Sequence, residues 1–176
     1  MPDETTATSR IRPRTAEDLP ALGALLVRVH ELDGYPVEGV DDPQAWLKSD
    51  QELAALTAEK DGQVVGHVML SYPGPGDAGA EEWTKRSGEP TDHIAMVGRL
   101  FIGPEARGDR LGARLTDAAT EIARKLGRRA VLDVMAKDKA AIRTYEKLGW
   151  QRIAEVEHAF GDGQSVPAYV YVSPLE

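Results

Sequence analysis

The chain has 176 residues, 41% of them hydrophobic and 28% charged, with a formal net charge of −8 at pH 7. This is enough for one domain with a full core and too short for two of ordinary size. No apolar run approaches the ~20 residues of a membrane-spanning helix, and the lack of cysteine excludes disulfides, thiolate metal sites and a cysteine nucleophile. The N-terminus has no apolar segment typical of a signal peptide, so we expect a soluble cytoplasmic protein.

The N-terminal part of the chain predicts one strand and one long helix. Residues 1–8 are polar and are expected to be a disordered tail, and residues 9–14, SRIRPR, alternate as a strand does. Thr15 has the spacing of a helix cap before the apolar-periodic run LPALGALLVRVHEL. Asp33–Gly34 is expected to end that helix.

The next part predicts a short helix, a hairpin and a surface loop. Within residues 35–50, Asp42 has the position of a cap for a short helix that opens on proline. The strands ELAALTAEK and QVVGHVMLSY are joined by Asp61–Gly62, which is typical of a two-residue turn. Residues 73–92 are rich in Pro, Gly and acidic residues, so we expect a surface excursion with one helical turn around Trp83.

The C-terminal half alternates strands and helices. HIAMVGRLFI is a near-continuous apolar strand in which Gly98 indicates a bulge or a close approach. The order of elements predicts an α/β (α+β) fold: a mixed, mostly antiparallel sheet of six or seven strands with about four helices. After that apolar strand we expect a helix over about Asp109–Leu126, a buried strand over 130–135, a helix over 138–149 and two final strands.

The stretch PEARGDRLGARL, residues 104–115, combines arginines and glycines where a buried strand gives way to a helix. The first turn of a helix has free N–H groups and roughly half a positive charge, so phosphates bind there readily. Gly108 and Gly112 allow the backbone to approach a ligand closely. Three arginines add formal charge: Arg107, Arg110 and Arg114.

Charge is distributed unevenly along the chain. Residues 99–152 hold 13 Lys and Arg against 7 Asp and Glu, within a protein that is acidic as a whole. A basic segment of this kind suits a local anionic ligand rather than a nucleic-acid surface. The alternative is that these charged residues lie on solvent-exposed helix faces, where they form ion pairs such as Glu121 with Lys125.

Two motifs resemble those of a known family. RGDRLG, residues 107–112, resembles the Arg/Gln-x-x-Gly-x-Gly/Ala signature of the GCN5-related N-acetyltransferase (GNAT) superfamily, which cradles the pyrophosphate of acetyl-CoA, with Arg110 in place of the central glycine. DKAAIRTYEKLGW is similar to the family's Asn-x-x-Ala-x-x-x-Tyr-x-x-x-Gly-Phe helix, with Asp138 in place of asparagine. The first arginine of the signature precedes Tyr145 by 38 residues, and the resemblance covers roughly residues 9–173.

The resemblance implies the acyl-CoA N-acyltransferase type of fold for residues 9–176, as a single domain, and acetyl-CoA as co-substrate. It implies that the backbone of the fourth strand pairs with the pantetheine arm and polarises the thioester. The residues expected to bind acetyl-CoA are Leu100, Phe101, Ile102, Arg107, Gly108, Asp109, Arg110, Leu111, Gly112, Ala113, Asp138 and Ala141.

The resemblance also assigns candidate catalytic residues. Tyr145 is the expected general acid, because a phenol of pKa ~10 is protonated at neutral pH and can donate to a forming thiolate; a half-buried aromatic residue is the alternative. The fourth strand has no internal carboxylate, so His93, whose ordinary pKa is near 6.5, is the candidate base. Asp92 and Glu82 are weaker candidates, and free amine from bulk solution is a further option.

The acceptor site is expected between residues 31–46 and residues 73–92. Acidic and aromatic side chains in the first segment, foremost Tyr35, Glu38 and Trp46, suit a cationic amine. A plain hydrophilic loop with a packed tryptophan is the alternative.

The sequence therefore predicts an N-acetyltransferase that moves an acetyl group directly to a primary amine. A CoA-binding module of the same fold without turnover is the alternative. Expected partners are a small-molecule or protein amine and, because dimers are common in the family, a second copy of the chain. We expect no nucleic-acid partner, no membrane and no metal, since the four histidines have no metal-site spacing.

Overall fold

The computed structural model describes residues 8–160 and 162–174. Seven strands form one sheet in the order β1-β2-β3-β4-β5-β7-β6. Every neighbouring pair is antiparallel except β4–β5, which is parallel. The strands are β1 Ser9–Pro13, β2 Glu52–Lys60, β3 Gln63–Ser71, β4 Ile94–Ile102, β5 Arg129–Met135, β6 Gln151–Phe160 and β7 Gln164–Val172, and the helices are α1 Leu19–Asp33, α2 Pro43–Trp46, α3 Ala78–Ser87, α4 Leu111–Lys125 and α5 Lys139–Lys147.

Helices cover both faces of the sheet and enclose three apolar clusters. One cluster lies between the sheet and α4 and α5, and it includes Leu115, Leu132 and Tyr145. On the opposite face, α1 packs through Leu22 and Leu26 onto the β3–β4 side, while α3 covers the strands from β4 to β6. The sheet therefore lies between two layers of helices. This confirms the predicted fold class, a mixed and mostly antiparallel sheet flanked by helices.

The parallel pair β4–β5 is short. The two strands are paired only over Ile94–Met96 and Arg129–Val131, and beyond that point β4 stays with β3 while β5 stays with β7. Within the described residues, the β5-facing edge of β4 after Met96 therefore has no strand partner. The separation opens a gap through the sheet, with helices on either side of it.

Several local predictions are confirmed. Asp61 and Gly62 both have positive φ, 53° and 81°, as a two-residue turn of this kind requires. Asp42 caps α2 by accepting a hydrogen bond from the backbone N–H of Ala45 at 3.1 Å. The first helix differs slightly, because a single 3-10 turn at Ala16–Asp18 precedes α1. The predicted N-terminal tail lies outside the described residues apart from Thr8, whose N–H donates to Asp61.

The predicted surface loop at 73–92 is wrong. Ten of its residues form α3, so the sheet is flanked by five α-helices rather than about four. Asp77 caps α3, and a Cβ added at Gly79 would lie 3.3 Å from the Met96 side chain and 3.6 Å from Val131. The small residues of α3 are thus explained by its close approach to the sheet. No helix in the described part of the chain is long and apolar enough to cross a bilayer.

Candidate active site

A cleft of about 740 Å³ lies where β4 and β5 separate. Its walls include residues from both faces of the sheet. Ala141 and Tyr145 of α5 line it on one face, and Glu38 and Asp77 line it on the other. The gap between the two strands therefore joins two half-sites into one passage through the sheet.

A bulge in β4 shapes this passage. His67 pairs with Phe101 and Met69 pairs with Gly98, so β4 has one more residue than β3 over this stretch. Arg99 lies within the bulge with a φ of 52°, which is the left-handed region that a residue other than glycine rarely adopts. The sequence placed the bulge near Gly98, one residue away.

A buried histidine holds the bulge. His67 has no exposed surface, and its Nδ1 lies 2.8 Å from the carbonyl oxygen of Arg99 while its Nε2 lies 3.1 Å from Nη1 of Arg14. Because a carbonyl only accepts, Nδ1 carries the hydrogen and Nε2 accepts from Arg14. Burial lowers the pKa of His67 to about 4, so the ring is neutral at pH 7. Neutral His67 is what fixes the backbone of Arg99.

The predicted phosphate cradle has the geometry of an anion site. Gly108 has a φ of 98°, and Arg110 precedes α4 in the left-handed conformation with a φ of 60°. Within the described chain, no side chain caps α4, so the N–H groups of its first turn remain available. Leu111 is buried in the core and anchors this turn, and Gly112 lies beside Ile102. Arg110 itself is exposed.

Two other charged residues of the motif are engaged within the protein. Arg107 lines the cleft, donates to the carbonyl oxygen of Ile102 at 3.0 Å and forms an ion pair with Asp33 at 2.5 Å. Asp109 forms an ion pair with Lys60 at 2.5 Å. These contacts tie the turn before α4 to α1 and β2, so both residues hold the shape of the cradle.

Tyr145 lines the cleft from α5, on the face of the sheet that α4 also covers. Its ring is 6% exposed and packs against Trp150 and Tyr171 with centroid distances of 5.9 and 6.1 Å. It lines the cleft, and burial raises the pKa of its phenol, so the hydroxyl is protonated at neutral pH. Asp138 occupies the position before the same helix, without a side-chain hydrogen bond to it in the described structure. It also lines the cleft, and burial raises the pKa of its carboxyl.

The structure does not bring His93 to this cleft. His93 belongs to a 3-10 turn before β4, pairs with Glu89 at 2.6 Å and lines a different cavity. Asp92 and Glu82 do not line the cleft either. The separation has a simple cause, since these residues precede or begin β4 and the cleft opens at its other end.

The three residues predicted for the acceptor all line the cleft. Tyr35 packs edge-on against Trp46 at 5.9 Å, and Trp46 contacts Phe101 at 6.2 Å. Glu38 is exposed at the cleft mouth. The predicted acceptor segment is therefore adjacent to the strand predicted to hold the thioester.

Sequence reasoning missed the residues that face Glu38. His158 of β6 lies between two carboxylates, with Nε2 3.9 Å from Glu38 and Nδ1 4.0 Å from Asp133 of β5. Asp77 is close enough to Asp133 for their charges to interact, and burial raises the pKa of both carboxyls. One signal was present in the sequence: Asp133 is a lone carboxylate inside the apolar run AVLDVM.

The sequence model of the acetyltransferase (GNAT) family matches residues 19–150. The chain belongs to this family. It is 31% identical over 107 residues to an uncharacterized N-acetyltransferase of Methanocaldococcus jannaschii, a match that covers 60% of this chain and only 42% of that relative.

Solved structures confirm the GNAT fold. An N-acetyltransferase from Staphylococcus aureus Mu50 superposes with a TM-score of 0.71 at 18% identity, covering 96% of this chain and 99% of the other. Arabidopsis thaliana NAA60 in complex with acetyl-CoA superposes with a TM-score of 0.68 at 17% identity, covering 94% and 98%. The resemblance seen in two short motifs thus extends over nearly the whole chain.

The residues of this GNAT chain fit acetyl-CoA, the co-substrate of the family. The uncapped first turn of α4 offers N–H donors for a diphosphate, and Arg110 adds an exposed positive charge beside it. The unpaired edge of β4 after Met96 offers hydrogen bonds to an extended amide-bearing arm, as a sheet edge does to an added strand. The unpaired edge of β4 and Arg107, which precedes the cradle, both line the passage that contains Tyr145.

Proposed function

We propose that this GNAT chain is an acetyl-CoA-dependent N-acetyltransferase that moves the acetyl group directly to a primary amine of a cationic acceptor. One observation carries the proposal: a single passage through the sheet joins Tyr145, on the acetyl-CoA side, to an acidic group of side chains on the other side. Acetyl-CoA supplies the activated acyl group, and the amine reaches it from the opposite face without an acyl-enzyme.

Tyr145 would protonate the departing sulfur. Its hydroxyl is protonated because burial raises the pKa of the phenol, and it lines the cleft at the end of the unpaired β4 edge. A proton given to the sulfur as the carbon–sulfur bond breaks makes CoA a better leaving group. Asp138 immediately precedes the same helix and lines the cleft beside it.

Asp133 would accept the proton of the attacking ammonium, assisted by His158. The carboxylate of Asp133 projects into the cleft from β5, and burial raises the pKa of its carboxyl, which makes it a better base than an ordinary aspartate. His158 lies 4.0 Å away and can pass the proton towards exposed Glu38. This pair replaces His93 as the proposed base.

The acceptor would bear a second positive charge. Glu38, Asp77 and Asp133 line one end of the cleft with two methionines, Met69 and Met96. The raised pKa values of Asp77 and Asp133 reflect burial without a full counter-charge, so a bound cation stabilises both carboxylates. The chemical class is a polyamine-like or otherwise dicationic amine.

The deciding experiment measures release of free CoA with pairs of acceptors. A linear diamine is compared with the monoamine of equal length, with wild type and the Asp77→Asn variant. Asparagine caps a helix as well as aspartate does, so α3 is preserved while one negative charge is removed. We expect kcat/KM for the diamine to fall roughly tenfold in this variant, and kcat/KM for the monoamine to stay unchanged.

The alternative of a CoA-binding module without turnover has its own signature in this experiment. Acetyl-CoA would bind, and no amine in the panel would release CoA. The sequence left that alternative open because β4 has no carboxylate. Asp133 supplies one from the neighbouring strand, so no observation in the structure favours it.

A further inference from the structure

We propose a second anion-binding site, separate from the acetyl-CoA cleft, that takes a small ligand with two or more anionic oxygens. The site is a cavity of about 770 Å³. It shares no lining residue with the cleft. We call it the arginine cavity after three of its lining residues: Arg124, Arg128 and Arg129.

The arginine cavity lies at the end of the sheet opposite to the cleft. Arg129 begins β5 and pairs with Ile94 at the start of β4, whereas the cleft opens beyond Met96. The C-terminal end of α4, the start of β5 and one side of α3 form its walls. A ligand there would contact Arg129, which begins the short paired stretch of β4 and β5 in the described structure.

Positive charge in the cavity exceeds negative charge. Three guanidinium groups line it with one carboxylate, that of Glu89, which is already paired with His93 at 2.6 Å. Arg124 forms an ion pair with Glu121 on its own helix, on the exposed surface. Arg128 is held by the carbonyl oxygen of Ile94 at 2.8 Å.

Arg129 has no counter-ion. Its guanidinium lies over the Trp83 ring at 5.4 Å, and no carboxylate of the described residues forms an ion pair with it. Burial lowers its pKa, and no nearby charge opposes that effect. The guanidinium is only partly buried, so its desolvation cost is moderate, and an anionic oxygen in the cavity would offset that cost.

Two buried donors on the cavity wall also lack acceptors. Nε of Arg129 and Nε1 of Trp83 are both buried, and neither has a hydrogen-bond partner in the described structure. Unsatisfied buried N–H groups are uncommon in folded proteins and call for an acceptor. Both groups are donors, and the arginines beside them are donors too. Because these two atoms have almost no accessible surface, a phosphate or carboxylate group in the cavity would first meet the exposed part of the Arg129 guanidinium.

The three tryptophans of the chain make the test specific. Trp83 lines the arginine cavity, Trp46 lines the cleft and Trp150 is buried in the core. Protein labelled with ¹⁵N is first saturated with CoA, so that the phosphate cradle is occupied. Sodium pyrophosphate is then titrated at constant ionic strength, and citrate in a second arm, while the three indole N–H signals are recorded. The Trp83→Phe variant assigns the signal.

We expect a saturable shift of the Trp83 signal, with the Trp46 and Trp150 signals unchanged. Saturation with pyrophosphate alone identifies a phosphate ligand, saturation with citrate alone a carboxylate ligand, and saturation with both a site for any multivalent oxyanion. Arg129→Gln should weaken the apparent affinity roughly tenfold, and Arg143→Gln, which removes an exposed arginine of α5, should leave it unchanged.

The proposal is overturned if neither anion gives a saturable shift of Trp83, or if all three indole signals shift together. It is also overturned if the affinity is the same in the Arg129→Gln variant. Should that variant fail to fold, Arg124→Gln serves instead, because Arg124 is exposed at the rim of the cavity and its loss leaves the core intact.

Discussion

Arg110 occupies a backbone position that favours glycine. It is one of three non-glycine residues with positive φ in the described chain, and it immediately precedes α4. The family signature has glycine here because the turn into the helix needs the left-handed conformation. This chain keeps that conformation with an arginine, which costs roughly 1 kcal/mol of strain and adds a positive charge to the cradle.

Two substitutions separate these two effects. Arg110→Gly removes the strain and the charge, whereas Arg110→Ala removes only the charge. We expect the glycine variant to unfold at a higher temperature than the alanine variant, by a difference equivalent to about 1 kcal/mol. Both variants lack the positive charge, so both should bind acetyl-CoA more weakly than wild type, and to the same extent, in calorimetric titration. Equal stability of the two variants would show that residue 110 is not strained.

Tyr145→Phe tests the proposed acid. The substitution keeps the ring contacts with Trp150 and Tyr171 and removes only the hydroxyl. We expect kcat to fall at least about tenfold, with little change in the dissociation constant for acetyl-CoA. Stopped assays of CoA release and a binding titration on the same preparation check both parts. Turnover at the wild-type rate would remove Tyr145 from the mechanism.

Asp133→Asn tests the proposed base through the pH profile. Without the carboxylate, only amine that is already neutral in solution can react. We expect kcat/KM at pH 7 to fall by roughly two orders of magnitude and then to rise with pH towards the pKa of the acceptor amine. A variant profile parallel to that of wild type would assign deprotonation to bulk solvent. His93→Asn is the control, because His93 lies outside the cleft.

At the scale of elements, the sequence predicted what local patterns encode. The hairpin turn at Asp61–Gly62, the cap at Asp42 and the end of α1 at Gly34 follow from side-chain chemistry over a few residues, and the structure has all three. Helix α3 could not be found that way. Its ten residues lie between the Pro- and Gly-rich stretches PGPGD and GEP, which locally favour a loop, and Gly79 makes sense only because it lies against Met96 of β4.

The candidate site shows the same division. The predictions of the cradle and of Tyr145 each rest on one continuous motif, and the predictions of Tyr35, Glu38 and Trp46 rest on one loop. Asp133 belongs to β5 and His158 to β6. These strands are separated by β7 in the sheet, so only the folded structure brings the two side chains together. No spacing along the chain encodes that contact, so the sequence predicts His93 as the base, because His93 lies near the start of the fourth strand.

The bulge in β4 depends on a side chain from a different strand. His67 donates to the carbonyl oxygen of Arg99, and its removal would leave that oxygen and a donor of Arg14 without partners. We expect His67→Leu to lower the free energy of unfolding by about 1–3 kcal/mol and to weaken acetyl-CoA binding, because the unpaired edge of β4 loses its shape. His93→Leu, at an exposed histidine, should change neither quantity in urea unfolding and calorimetry.

At the scale of the whole molecule, His67 couples stability to pH. Its pKa is about 4 in the folded protein and near 6.5 in an unfolded chain, because burial disfavours the charged ring. The unfolded chain therefore binds one more proton between these values, so the contribution of neutral His67 is complete above pH 6.5 and is lost as the pH falls towards 4. A difference of this size corresponds to roughly 3 kcal/mol.

Other ionisable groups also make the free energy of unfolding depend on pH, and not all of them in the same direction as His67. The pKa of Asp18 is lowered by its hydrogen bonds with Arg12, so its contribution is lost only at more acidic pH. The pKa values of Asp77 and Asp133 are raised by burial, so these carboxyls favour the folded state as the pH falls. A wild-type profile alone cannot separate these groups, and a comparison with a variant is needed.

The comparison is between wild type and His67→Leu, unfolded by urea at a series of pH values from 7 to 4. The wild-type free energy of unfolding should fall over this range more than that of the variant, by about 3 kcal/mol. All other titrating groups are common to both proteins, so they cancel in the difference. Parallel profiles would mean that His67 is protonated in the folded state, and then it could not accept from Arg14. The hydrogen bond of His67 with Arg14, and with it the support of the bulge, would have to be reassigned.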